Sequence, residues 1–117
     1  NYSNYEKIDV FYSRFTLHSI TKDDEEILIP KVYDSLESGG LLCIEARTTK
    51  DSLFEIGVNC GDNTFINDGH KRRFIDSQIF LDYAEKLGFN IIYFVEQDNL
   101  SVYGNDNPVL MRVILQK

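Results

Sequence analysis

The sequence predicts an α/β fold, with a mainly parallel sheet that ends in an antiparallel hairpin. Three observations carry this. Segments of strand and helix character follow in the order strand, helix, strand, helix, strand, strand. The run Leu41 to Ala46 is almost wholly apolar, the pattern of a parallel strand covered on both faces. The linker before the last strand is rich in Asn, Asp and Gly, contains Pro108, and is too short for a crossover helix, so the last two strands pair antiparallel.

The elements follow in order. Ile8 to Tyr12, with β-branched and aromatic residues, reads as a buried strand. Thr21 opens a helix by capping its first turn, and the acids 23–26 suit the positive end of the helix dipole. Ile27, Leu28, Val32 and Leu36 give a helical stripe, interrupted by Pro30, which predicts a kink or two short pieces. Gly39 and Gly40 end that helix, and Leu41 to Ala46 follows as a strand. A long irregular stretch runs from Arg47 to about Ile75; loops of that length carry function or disorder. Asp76 caps a second helix with Ile79, Phe80, Tyr83, Ala84 and Leu87 on one face, and Gly88 stops it. Asn90 to Val95 and Val109 to Leu115 are the final strands.

The chain has 117 residues, 43% hydrophobic and 26% charged, which fits a single globular domain over 1–117. Its net charge of −7 argues against nucleic acid or an anionic membrane as partner. No apolar run approaches the ~20 residues of a membrane span. Cys43 sits in an apolar run as a small hydrophobe and Cys60 lies in an unrelated context; a reducing, cytoplasmic location fits them at least as well as a disulfide between them. No spacing of Cys or His suggests a metal site. The first residue is Asn1, and the sequence reads as part of a longer chain.

Three stretches carry a resemblance to the class I S-adenosylmethionine-dependent methyltransferases. Ile8-Asp9-Val10-Phe11-Tyr12-Ser13-Arg14-Phe15-Thr16-Leu17-His18 looks like that family's fourth strand and the loop after it. Leu36-Glu37-Ser38-Gly39-Gly40-Leu41-Leu42-Cys43-Ile44-Glu45 resembles the junction before its fifth strand. Gly88-Phe89-Asn90-Ile91-Ile92 resembles the approach to its sixth. The resemblance spans essentially the whole chain and implies the carboxyl-terminal half of a Rossmann-like methyltransferase sheet. The family's glycine-rich cofactor loop is not in this sequence: none of its seven glycines forms a Gly-x-Gly loop between a strand and a helix. The first strand, read as a central one, therefore lies at a sheet edge, and such edges invite pairing with another chain, a second copy included.

Ligands in open α/β sheets sit beyond the carboxyl ends of the parallel strands. By the resemblance, Ser13, Arg14 and Phe15 are the expected contacts to the cofactor, S-adenosylmethionine. Read on their own, Arg14 is a surface cation and Phe15 a core residue. His18 is either a base at the crevice or a residue bonded to backbone at the helix entrance. Glu45, inside a buried strand, needs a partner, and Arg47 two residues on shares its face; the two form either an ion pair or part of a substrate clamp. In the long stretch, His70, Lys71, Arg72 and Arg73 make a basic cluster in an acidic chain. It either attracts an anion, with Arg72 and Arg73 as forks and His70 as a second base, or balances acids such as Asp62 and Asp68.

The expected activity is methyl transfer, O-methylation of a small polar and anionic acceptor, with His18 or His70 as base and Arg47, Arg72 and Arg73 holding the acceptor. The other reading is a non-enzymatic binding module that associates through its exposed first strand. A phosphate-ester hydrolase is disfavoured, since no metal cluster or nucleophile–base pair is visible.

Overall fold

The computed structural model describes residues 8–14, 17 and 20–117. Strand β1 (Ile8–Arg14) is followed by helix α1 (Lys22–Ser35) and the long strand β2 (Leu36–Arg47). Three short strands come next, β3 (Val58–Asn59), β4 (Thr64–Asn67) and β5 (His70–Arg73). Helix α2 (Ser77–Leu87) and strands β6 (Asn90–Gln97) and β7 (Leu110–Gln116) complete the chain.

Strands β1, β2, β7 and β6 form one sheet in that order. The last two strands pair antiparallel, as the short linker requires. The expectation of a mainly parallel sheet is corrected. Among the described strands only β1 pairs in parallel, with β2; β2 with β7, β7 with β6, and both pairings among β3, β4 and β5 are antiparallel. The reason is topological. β7 folds straight back from β6 and inserts beside β2, so β2 and β6 share a direction without touching.

Thr21 caps α1, its hydroxyl oxygen accepting from the Asp24 amide at 3.0 Å. The helix runs unbroken through Pro30 to Ser35, rather than in two pieces. Pro30 leaves the Glu26 carbonyl without its helical donor, and the Tyr83 hydroxyl of α2 donates to it at 3.4 Å. Ile27, expected in the buried stripe, is 58% exposed; Ile29, Val32 and Leu36 carry the stripe instead. The helix also ends before the glycines. Leu36 already pairs with Ile8, and the register then jumps so that Val10 faces Leu41. Gly39, at φ +84°, lies in the bulge between these pairs, and its amide donates to the Lys117 carbonyl at 3.0 Å.

Asp76 caps α2 through the Ile79 amide at 3.1 Å, and Gly88 closes it at φ +111°. Phe80 and Ala84 are buried, whereas Ile79 is 60% exposed at the margin of the expected face. The helices cover one face of the sheet. Leu42, Ile44 and Ala46 of β2 and Met111, Val113 and Leu115 of β7 meet Ile29, Val32, Phe80, Ala84 and Phe89 there. Each of the larger side chains contributes about 1.5–3 kcal/mol by leaving water.

The stretch expected to be irregular, Arg47 to Ile75, holds the antiparallel sheet β3-β4-β5. Asp68 (φ +50°) and Gly69 (φ +75°) form the two-residue turn between β4 and β5. Such turns need positive φ at both positions, which Asp-Gly supplies. The rings of Phe65 and Phe74 pack edge-on against Phe54 at 5.5 and 5.6 Å, giving this small sheet its own apolar centre. Cys43 and Cys60 are free thiols. No helix among the described residues is long and apolar enough to cross a membrane.

Candidate functional site

The carboxyl ends of β1 and β2 lie side by side, with Ser13 opposite Ile44 and Arg14 opposite Glu45. Phe15 and His18 lie outside the described residues, as do the side chains of Ser13 and Arg14.

Glu45 and Arg47 do not form the expected mutual pair. Arg112 of β7 sits directly across from Glu45 and bonds its carboxylate through Nε. Cross-strand neighbours stand closer than residues two apart on one strand, which are separated by about 6.6 Å. Arg47 turns the other way. Its Nη1 donates to Asp51 at 3.1 Å and its Nη2 to Asp106. The second oxygen of Asp51 accepts the Val109 amide at 2.9 Å. This network, buried at Arg47 and Asp51 and open at Asp106, joins the end of β2, the segment that follows it and the loop before β7.

The basic stretch is strand β5 rather than a loop, so its side chains alternate between two faces. Arg73 faces the body. Its guanidinium donates to the carbonyls of Ile20 (3.0 Å) and Leu17 (3.1 Å) and pairs with Glu25, both charged groups being buried. His70 and Arg72 share the other face and line a cleft of about 520 Å³ with Asp68, Asn105 and Asp106. Arg72 has no carboxylate within ion-pair distance among the described residues. Of the three arginines expected to hold an acceptor, Arg47 and Arg73 are thus bonded to carboxylates, and Arg72 has no carboxylate partner among the described residues. Lys71 lies on the Arg73 face and is exposed.

Sequence reasoning missed three acidic residues at this edge. Asp106 lies in a stretch that reads as a plain hairpin linker, and Asp51 in one without periodicity. Glu96, near the end of β6, accepts from the Ser77 hydroxyl at 2.9 Å and pairs with Lys50 at 3.3 Å. The register sets it opposite buried Met111, and no alternation in the apolar run of β6 announces it. Among the described residues no group of three His, Cys, Asp or Glu is placed to hold a metal ion.

No protein-family model matches the chain, and no curated protein does. Solved structures do. An S-adenosylmethionine-dependent methyltransferase of Methanosarcina mazei superposes with a TM-score of 0.79 at 14% identity, over 96% of this chain and 60% of that one. One from Mesorhizobium loti gives 0.64 at 14% identity, over 96% and 62%. The glycopeptide N-methyltransferase MtfA, in complex with S-adenosyl-L-methionine, gives 0.61 at 14% identity, over 94% and 54%. The chain spans about three fifths of the length of the first two.

Proposed function

From the class I methyltransferase-like fold of this chain, we propose that it forms the acceptor-side part of an S-adenosylmethionine-dependent methyltransferase acting on a small polar, anionic acceptor. The observation that carries the acceptor class is the juxtaposition of His70 and Arg72 on one face of β5 over a 520 Å³ cleft, Arg72 having no carboxylate partner among the described residues. A guanidinium with a free fork fits a carboxylate or phosphate on the acceptor.

The described residues fit the cofactor on one side only. The adjoining carboxyl ends of β1 and β2 offer a wall, and the glycine loop that lets backbone approach such a ligand is not in this sequence. The outer edge of β1 has no strand beside it among the described residues, which is where a further part of a sheet would add. When bound, S-adenosylmethionine supplies a methyl group on a sulfonium, which is electrophilic without further activation.

The protein's part is to position the acceptor, exclude water and remove a proton. Arg72 binds the anionic end of the acceptor, and a ring nitrogen of His70 takes the proton of its hydroxyl. Ser13, Arg14 and Phe15 are kept as the cofactor side and His18 as the second candidate base. Arg47 and Arg73 act on the acceptor through the walls they fasten. Isothermal titration of the longest natural form of the protein with S-adenosylmethionine tests the class; no binding there rejects it.

One observation favours a second reading, a binding module without activity. Among the described residues no strand lies on the outer side of β1, and Val10 on it is 54% exposed. A stable dimer in solution that binds no S-adenosylmethionine would favour this reading over the enzyme.

A further inference from the structure

The cleft of His70 and Arg72 has a lining that selects further than charge alone. Small-molecule sites are mostly apolar, with a few polar groups to fix orientation. Here the proportion is reversed: of the nine lining residues Leu53 is the one apolar member. The side chains of Ser52, Asn67, Asp68, His70, Arg72 and Asn105 make no hydrogen bond or ion pair among the described residues. An occupant of this cleft therefore meets polar groups on nearly every side.

Both walls are held in place by the protein itself. Asp68, His70 and Arg72 belong to the β4–β5 hairpin. Asn105 belongs to the loop before β7, which reciprocal main-chain bonds between Tyr103 and Asp106 close, both at 2.8 Å. The Asn107 amide adds a bond to Asn99 at 2.8 Å, and Arg47 ties Asp106 to the end of β2. A ligand spanning the walls thus has little main chain to order, which removes one cost of binding.

The unbonded groups are mixed in kind. Arg72 only donates, Asp68 only accepts, and Ser52, Asn67 and Asn105 do both. A bare carboxylate or phosphate satisfies Arg72 and meets Asp68 with like charge. An ammonium satisfies Asp68 and is repelled by Arg72. A zwitterion matches both charges and leaves the two amides without partners. A row of hydroxyls beside one carboxylate satisfies all of them, because each hydroxyl donates and accepts. Resting on the acceptor-side reading above, we propose that the acceptor is a sugar acid. Its carboxylate takes the Arg72 guanidinium, and its hydroxyls are shared among Asp68, Asn67 and Asn105. The volume of about 520 Å³ falls in the range of small-molecule sites.

The test is a titration of the full chain at neutral pH, followed by amide resonances, with D-glucuronate, D-glucose, acetate and L-serine. Saturable shifts centred on Arg72 and Asn105, with glucuronate binding about tenfold or more tightly than each of the other three, support the proposal. Asn105→Ala, a change in an exposed loop residue, should weaken glucuronate about fivefold and leave acetate unchanged. Four outcomes overturn the proposal: no saturation by glucuronate, shifts centred away from the cleft, acetate or L-serine binding as tightly as glucuronate, or an Asn105→Ala variant that binds glucuronate as the parent does. These titrations contain no S-adenosylmethionine, so their failure is distinct from failure of the enzyme reading, which the cofactor titration decides by itself.

Discussion

Arg73 of β5 and Glu25 of α1 meet in a buried ion pair, their side chains 7% and 9% exposed. The same guanidinium holds the carbonyls of Leu17 and Ile20, so one side chain fastens the small sheet to the segment entering α1. Removing one partner strands the other charge away from water. Arg73→Leu should cost about 3–5 kcal/mol by chemical denaturation. The double change Arg73→Leu with Glu25→Leu should cost less than Arg73→Leu alone, and a double change as costly as the single one would contradict this account.

Asp51 is a second keystone, accepting from both Arg47 and the Val109 amide. Asp51→Ala leaves a buried cation and a buried amide short of an acceptor, and should cost about 3 kcal/mol. Asp51→Asn keeps an oxygen for Val109 and should cost about half as much. Melting curves of the two variants check the order.

The glycines of the small sheet should separate cleanly. A Cβ at Gly57 (φ +95°) would overlap the Ile66 carbonyl oxygen, whereas one at Gly69 (φ +75°) meets open space. Gly69→Ala should therefore cost about 1 kcal/mol, the left-handed penalty alone. Gly57→Ala should cost about 3 kcal/mol or more and free the amides of β3 and β4 to exchange with solvent.

Burial pushes the Cys43 thiol up from its ordinary value, while Cys60 is exposed. At pH 8 a disulfide reagent should modify Cys60 first and Cys43 much more slowly, the two rates converging in denaturant. The sign for stability follows. The folded thiol holds its proton more tightly than the unfolded one, so stability falls as pH rises past the ordinary thiol value of about 8.5. A rise in stability over that range would contradict it.

If Arg72 holds the acceptor, Arg72→Ala in the active natural protein should raise KM for an anionic acceptor about tenfold or more and leave binding of S-adenosylmethionine unchanged. A fall in kcat alone would argue against that role.

Much of the architecture was legible because local signals and packing agree. Thr21 and Asp76 announce helices, Gly88 ends one, and a linker without room for a helix forces β6 and β7 together. The errors fell where tertiary contacts override local ones. Pro30 reads as a break, but the stripe of Ile29 and Val32 holds α1 to the sheet. Gly39 and Gly40 read as a helix stop, but they form a bulge paired with Lys117. The strands between Arg47 and Ile75 escaped notice because they are two to four residues long, too short for a period to show. The site was legible in its residue types and not in its pairings. Nothing local tells that Arg73 points to Glu25 or Arg47 to Asp106, since those partners are far away in sequence.

The small sheet leaves and rejoins the body at a single place. Thr48 and Ile75 are bridge partners, with the Ile75 amide bonded to the Arg47 carbonyl at 2.9 Å and the Thr49 amide to the Ile75 carbonyl at 3.0 Å. Everything between them is an excursion from one fixed doorway, with its own aromatic centre. An excursion of another length could start and finish at that doorway so long as it keeps Asp51 and Arg73, which bond the body away from the doorway. A graft between Thr48 and Ile75 that keeps Asp51 and Arg73, the two side chains that tie the excursion to the body, should therefore be accepted by the same frame.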